Sequence, residues 1–202
     1  MEKRTAEKRT VDIAARRGLV RARDVKAHKL HTQVLTRLVR EGKLERSSRG
    51  LYRLPEYQMT EHHGLVLAAA ATPQGVICLI SALQFHQIGT QLPRQVWIAL
   101  PRGTRTPAIE YPPMRAVHVS GEAFTAGVEE HTLEGQKVRV YGVAKTIADC
   151  FKFRNAIGMD VALEALNEGG RERKFKMADI AEHARICRVW NVMRPYLEAI
   201  AS

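Results

Sequence analysis

Charge is segregated along this chain, and that segregation limits what its first quarter can become. Residues 1–54 hold 16 Lys and Arg against 6 Asp and Glu, whereas residues 55–202 hold 16 against 15. The front stretch therefore supplies +10 of a formal net charge of +11. Such charge suits a polyanionic partner, because each Lys or Arg that meets a phosphate releases condensed counterions. The alternative is a basic surface kept for solubility, and charge by itself does not separate the two.

Apolar spacing within that stretch predicts three helices and a hairpin. Thr5 to Arg17 reads as a helix stopped by Gly18, with Val11, Ile13 and Ala14 among its apolar positions. Leu19-Val20 leads into a short second helix over Arg21 to His28. The third runs from His31 to Glu41 and is closed by Gly42. Within it the pairs Val34/Leu38 and Leu35/Val39 share one buried stripe, since residues at i and i+4 face the same way. The opposite side shows Thr32, Gln33, Thr36, Arg37 and Arg40, which suit base edges and phosphates in a major groove.

Leu44-Glu45-Arg46 and Leu51 to Leu54 flank the polar turn Ser47-Ser48-Arg49-Gly50 and read as a β-hairpin. Alternation directs Tyr52 and Leu54 to the core and Arg53 outward. Three helices followed by a basic hairpin is the winged helix-turn-helix order. Lys43, Arg46, Arg49 and Arg53 are then the expected wing contacts to the DNA backbone or minor groove. Winged helices also serve as protein-interaction modules. Basic residues on both the third helix and the wing favour DNA.

Residues 56–202 read as a second, α+β domain. A polar connection containing Glu61-His62-His63 precedes a helix over Leu65 to Ala71, ended by Thr72-Pro73-Gln74-Gly75, and Val76-Ile77-Cys78-Leu79 then leads on to Ile80. A helix from Ile80 ends at Gly89, and Val96 to Leu100 and Ala116 to Val119 are strands. Val128 to Leu133 and Lys137 to Tyr141 flank Glu134-Gly135-Gln136 as a hairpin. The tail is helical: Val143 to Arg154, Met159 to Glu168 ended by Gly169-Gly170, then about Lys176 to Arg188 and Val189 to Ala199. The fold class expected is α+β, a winged helix-turn-helix over residues 1–55 followed by a mixed α/β domain with a helical tail.

Several chemistries are disfavoured. Cys78, Cys150 and Cys187 stand singly in apolar surroundings, the pattern of reduced buried cysteines rather than disulfides or a zinc site. His62 and His63 are neighbours that point apart, with no evident third ligand, so no metal is expected. Ser81, His86 and Asp149 make a hydrolase only on paper, without a nucleophile elbow or an oxyanion loop. Asp149 is better matched to Lys145 or Arg154. The Arg102-Gly103-Thr104-Arg105 run lacks the context of a phosphate loop and reads as a polar loop open to DNA or an acidic partner. No catalytic residue and no cofactor are expected. The charged start and the lack of a long apolar run point to a cytoplasmic protein without a membrane partner.

Three ordered strings carry a family resemblance. The first is Glu45-Arg46-Ser47-Ser48-Arg49-Gly50-Leu51-Tyr52-Arg53-Leu54-Pro55. The second is Ile80-Ser81-Ala82-Leu83 with His86, then Pro93 and Val96-Trp97-Ile98-Ala99-Leu100-Pro101. The third is Val138-Arg139-Val140-Tyr141, then Lys145-Thr146-Ile147-Ala148-Asp149-Cys150-Phe151, Arg154, Gly158 and Ala162-Leu163-Glu164-Ala165-Leu166. Over residues 8–170 the chain resembles the AbiEi-type antitoxins of type IV toxin–antitoxin phage-defence pairs. It departs from them at Lys145, where an Arg is expected; the charge stays and the planar fork is lost.

The resemblance implies a non-enzymatic, bifunctional protein. Its winged helix would repress its own operon at inverted repeats in the promoter. Its back domain would counteract a nucleotidyltransferase toxin, with no stable complex required. A stand-alone winged-helix regulator, its back domain serving ligand binding or oligomerisation, is the alternative. A module that binds only protein is a third.

Overall fold

The computed structural model describes residues 2–48, 50–109 and 111–201. The front part comprises α1 (Glu2–Arg17), β1 (Leu19–Arg21), α2 (Ala22–Ala27), α3 (Gln33–Arg40), β2 (Glu45–Ser48) and β3 (Leu51–Arg53). Ala14, Val20, Val25, Val34, Leu35, Leu38 and Leu44 close its small core. Gly18 and Gly42 stop α1 and α3 with φ of 71° and 68°, a conformation that costs glycine no Cβ clash.

One strand of the front part was not foreseen. Leu19-Val20, read as a lead-in, joins the hairpin to give the order β1-β3-β2, with Leu19 opposite Arg53 and Arg21 opposite Leu51. The consequence falls on β3. Tyr52 and Leu54 pack on the front core as alternation requires, but Leu51 is buried on the other face, against the rest of the molecule. That face is covered, so Arg53 does not stand free in solvent. Its side chain is 19% exposed and its Nη2 lies 2.7 Å from Glu45, the residue opposite it on β2.

The back part begins with α4 (His63–Ala71), β4 (Val76–Ile77), α5 (Leu79–Phe85), β5 (Val96–Pro101), β6 (Met114–Val119), α6 (Glu122–Thr125), β7 (Val128–Leu133) and β8 (Gln136–Tyr141). It continues with α7 (Val143–Lys152), α8 (Arg154–Ile157), α9 (Met159–Arg171), α10 (Met177–Ile186) and α11 (Trp190–Ala201). The sheet runs β6-β5-β4-β8-β7, mixed in direction, with β5 and β6 parallel. Val96, Ile98 and Leu100 on β5 face α4, while Trp97 and Ala99 face α5 and the helical tail. A strand covered on both faces reads as a continuous apolar run, which is how Val96 to Leu100 stands out in the sequence.

Gly169-Gly170 do not end a helix. α9 passes through both to Arg171, because a Cβ on Gly169 would come 3.1 Å from Ile147 and Phe175, so the glycine lets α9 approach α7 closely. The short helices α6 and α8 carry too few residues to show periodicity.

The two parts are strapped together at one hairpin tip. Leu19 and Leu51 share a core with α4 and with Val138 and Val140 of β8. The β7–β8 loop is Glu134-Gly135, with φ of 50° and 72°, the positive pair that a two-residue primed turn needs. From the turn, Gln136 Nε2 donates to the carbonyls of Arg17 and Leu19. Tyr57 Oη donates to the Glu134 carbonyl at 2.7 Å. The Glu134 carboxylate, its side chain 1% exposed, accepts from Thr60 N and Oγ1 at 2.7 and 2.9 Å and meets His63 Nδ1 at 2.7 Å. Burial would raise this carboxyl, but the hydrogen bonds from His63, Thr60 and Tyr57 outweigh it and hold it below the ordinary range. At Gly18 the fit is tight: a Cβ there would lie 2.4 Å from the Glu134 carbonyl oxygen and 2.5 Å from the Tyr57 ring.

Candidate nucleic-acid interface

Every candidate DNA contact on the third helix follows from how α3 is seated. Val34, Leu35 and Leu38 are buried against α1, β1 and α2, which turns Gln33, Thr36 and Arg40 to solvent along one face. Thr32, at the helix N-cap, is half-buried beside them. Gln33 N donates to His31 Nδ1 at 3.2 Å, so its side chain is not needed to satisfy the helix start. Arg37 is different. It is half-buried and its Nη1 donates to Glu7 Oε1 of α1 at 2.8 Å, which ties the exposed helix to the first.

On the wing, Arg46 is exposed on β2 just before a β-bulge that breaks the register between Arg46 and Ser48. A bulge sharpens the local twist and re-aims the side chains around it. Arg49, placed at the tip by the sequence, lies outside the described residues. Lys43 precedes the wing and pairs with Glu41 at 2.8 Å, an exposed contact that lowers the Glu41 carboxyl through the hydrogen bond and charge of Lys43. Arg53 pairs with Glu45 as described above.

The front module's carboxylates thus have a pattern that was not legible from charge counting. Glu7, Asp24, Glu41 and Glu45 hold Arg37, Arg17, Lys43 and Arg53 respectively. Among the described residues, Lys8, Arg9, Arg16, Arg23, Lys26, Lys29 and Arg40 are exposed and have no ion-pair partner. Six of these seven were missed as candidates; only Arg40 was named. The missed ones lie on α1, α2 and the turn after it, and the signal available was their exposure opposite an apolar stripe. Arg23 also lines a cleft with Arg105 and Thr104, so the polar loop after β5 comes beside α2.

The residues of the paper hydrolase are each committed elsewhere. Ser81 Oγ accepts from Trp97 N at 2.9 Å inside the core, and His86 Nε2 meets the Tyr141 carbonyl at 2.7 Å. Burial, only partly offset by that hydrogen bond, lowers the His86 pKa. Asp149 is buried with Lys145, as expected of the pair, and accepts from Cys187 Sγ at 3.3 Å. Lys145 is itself fully buried, its Nζ 3.9 Å from the centre of the Tyr141 ring. Burial and the nearby Asp149 charge push the Cys187 thiol up to about 12, where it is no nucleophile. Arg154 donates to the Phe151 carbonyl instead of to Asp149. All three cysteines are free and buried. Of the adjacent histidines, His63 is taken by Glu134 and His62 lies 3.8 Å from Glu61.

Comparison with known proteins agrees with this geometry at the front of the chain. Residues 8–55, under a quarter of the sequence, match the family model described as transcriptional regulator, AbiEi antitoxin. That description is of regulators and not of enzymes. The chain is also similar to the crystal structure of the Rv2827c protein from Mycobacterium tuberculosis, with a TM-score of 0.58 at 15% identity. The likeness covers 89% of this chain and 71% of that one, and at such identity it speaks to the fold alone. No curated protein matches the sequence. Among the described residues, no helix is long and apolar enough to cross a membrane. Residues 8–55 are thus similar to the transcriptional regulators of the AbiEi antitoxin family.

Proposed function

We propose that this protein is the antitoxin of a type IV toxin–antitoxin pair, reading DNA with residues 1–55 and opposing its toxin with residues 56–202. The observation that carries the reading is α3 presenting Gln33, Thr36 and Arg40 on one exposed face beside a basic, bulged hairpin. The helix enters the major groove of an inverted-repeat operator in the protein's own promoter, and the wing rests on the flanking backbone. Gln33 offers a bidentate amide to adenine, and Thr36 and Arg40 extend the same line of contact. Arg37, held by Glu7, sets the pose of the helix and reaches DNA from its edge. Thr32 contacts phosphate at the helix start. Arg46 and Arg49 hold the backbone, and Lys43 and Arg53 support them from either side. Binding represses the operon, and the partner neutralised is a nucleotidyltransferase toxin, without a stable complex between the two proteins.

The test has two arms. Gel shifts on the protein's own upstream region, at two salt concentrations, should show that Arg46→Ala/Arg49→Ala weakens binding to every sequence and flattens its salt dependence. An unchanged slope removes the wing from the interface. Co-expression with the adjacent reading frame should show growth rescue by the full chain, retained when Gln33→Ala alters operator preference. Absence of rescue overturns the antitoxin reading while leaving the DNA arm standing.

A further inference from the structure

A second cationic site lies past the carboxyl ends of β5 and β6. These strands run parallel from Val96 opposite Met114 to Pro101 opposite Val119, and a cleft of about 670 Å³ opens just beyond them. Arg102 leaves β5 at its rim, Lys152 ends α7, and Arg185 and Arg188 come from the end of α10 and the turn into α11. His118 and Glu122 also line it. The α10–α11 turn is tied by Arg188 N to the Arg185 carbonyl at 2.9 Å and Val189 N to the Ala184 carbonyl at 2.8 Å. That holds Arg188 at a φ of 60°, so two guanidinium groups are supplied by a constrained turn and not by a loose tail.

Among the described residues, none of Arg102, Lys152, Arg185 and Arg188 has a carboxylate within ion-pairing distance. Other bases of the same part of the chain, such as Arg94 and Arg173, also lack an ion pair among the described residues, so what marks this place is four of them lining one cleft. Four like charges facing one space with a single carboxylate among them repel one another, and a bound polyanion turns that repulsion into attraction. The place is also the usual one for ligands in α/β sheets, outside the carboxyl ends of parallel strands.

We propose that this cleft binds the polyphosphate chain of a small ligand, a nucleoside polyphosphate or an inorganic polyphosphate. Three guanidinium groups give forked donors that match phosphate oxygens, and Lys152 adds a compact fourth charge. Size fits: small-molecule clefts span roughly 300–1,000 Å³. Operator DNA is not its occupant. The cleft is on the sheet face that carries α7 and α10, whereas Leu19 and Leu51 of the front module pack on the opposite face with Leu100, Val138 and Val140. The site is therefore independent of the reading in the preceding subsection.

Arg185 supplies the reporter, because its guanidinium stacks 4.6 Å from the Trp190 ring centre. Titration of the full-length protein with inorganic tripolyphosphate and with ATP, by calorimetry and tryptophan fluorescence, should show saturable one-to-one binding with a change in emission lost in Trp190→Phe. Arg185→Ala/Arg188→Ala, and separately Lys152→Gln, should weaken that binding at least about tenfold, since each removes a charge-assisted contact. Circular dichroism should show both variants folded, as all three side chains reach solvent. Tighter binding of ATP than of tripolyphosphate assigns the site to nucleotides; equal affinity assigns it to the phosphate chain alone. Three results overturn the proposal: no saturable binding at millimolar ligand, loss of binding in Arg23→Ala/Lys26→Ala but not in the cleft variants, or equal loss of duplex DNA and polyphosphate binding in the cleft variants.

Discussion

Among the described residues, the sheet domain buries a Lys–Asp ion pair completely and the front module buries none. In the front, carboxylates and bases meet near solvent, as with Lys43 and Glu41, whose side chains are 53% and 34% exposed. In the sheet domain, Lys145 and Asp149 meet with side chains 0% and 2% exposed, and the Glu134 carboxylate at the junction is as deeply placed. Exposed pairs contribute about 0–1 kcal/mol and can be exchanged for DNA phosphate at little cost. A buried pair cannot be given up without leaving a stranded charge. The contrast teaches that the basic residues of the front are available for binding, while the ionic groups of the interior hold the fold.

That contrast can be broken most directly at Asp149. Asp149→Ala should destabilise the chain by about 3–5 kcal/mol, because it strands the Lys145 ammonium in the core. Urea melts should show this, and Lys145→Met/Asp149→Leu should recover most of the loss. If the single variant melts like the wild type, the buried pair is not holding the helical layer.

Next in size is the junction. Gly18→Ala combines a positive φ with the backbone overlap at Glu134, and should cost about 2 kcal/mol or more. Limited proteolysis should then cut between residues 55 and 63, where the wild type is strapped. Unchanged melting and cutting would show that the hairpin tip does not fix the front module.

A gradation with pH follows from groups whose values are depressed in the folded state. Burial lowers His86 and His183, so their neutral forms stabilise the fold fully above the unfolded histidine value of about 6.5. That contribution is lost as pH falls through their lower folded values. Glu134, held below its ordinary carboxyl range, adds a further loss only in more acidic solution. Melting temperature should therefore decline from near pH 6.5 downward, and His86→Gln should flatten the first part of the fall. A profile identical in the variant would remove His86 from the account.

Smaller effects sharpen the front of the comparison. Gln33→Ala should change discrimination between operator variants on the order of 1–3 kcal/mol without altering stability. Glu45→Gln should cost at most about 1 kcal/mol in urea, as an exposed partner is lost. A larger loss would mean that Arg53 is structural in the same sense as Lys145.

Legibility in the sequence followed how local each signal was. The stripe of Val34, Leu35 and Leu38 and the apolar run Val96 to Leu100 are set by spacing alone, and both elements form where spacing predicts. β1 was missed because a three-residue strand has no period to detect, and its partner lies more than thirty residues away at Arg53. Arg53 was read as outward because alternation assumes one solvent face, while Leu51 shows that both faces of β3 are covered. Gly169-Gly170 look like a stop by composition and act as a contact surface by position. At the candidate interface, the identities of Gln33, Thr36 and Arg40 could be read directly, but which bases were already engaged by Glu7, Glu41 and Glu45 could not. Pairing across elements is a property of the folded chain.

The strap at Glu134 also bears on how two copies would sit on a dyad-symmetric target. A reading head on a loose tether tolerates changes in half-site separation, since the tether takes up the slack. Here the head is bolted to its body, so each inserted base pair would swing the attached sheet domain about 35° around the duplex axis. Spacer length would then decide whether the two bodies meet or stand apart, and cooperativity would become periodic in that length.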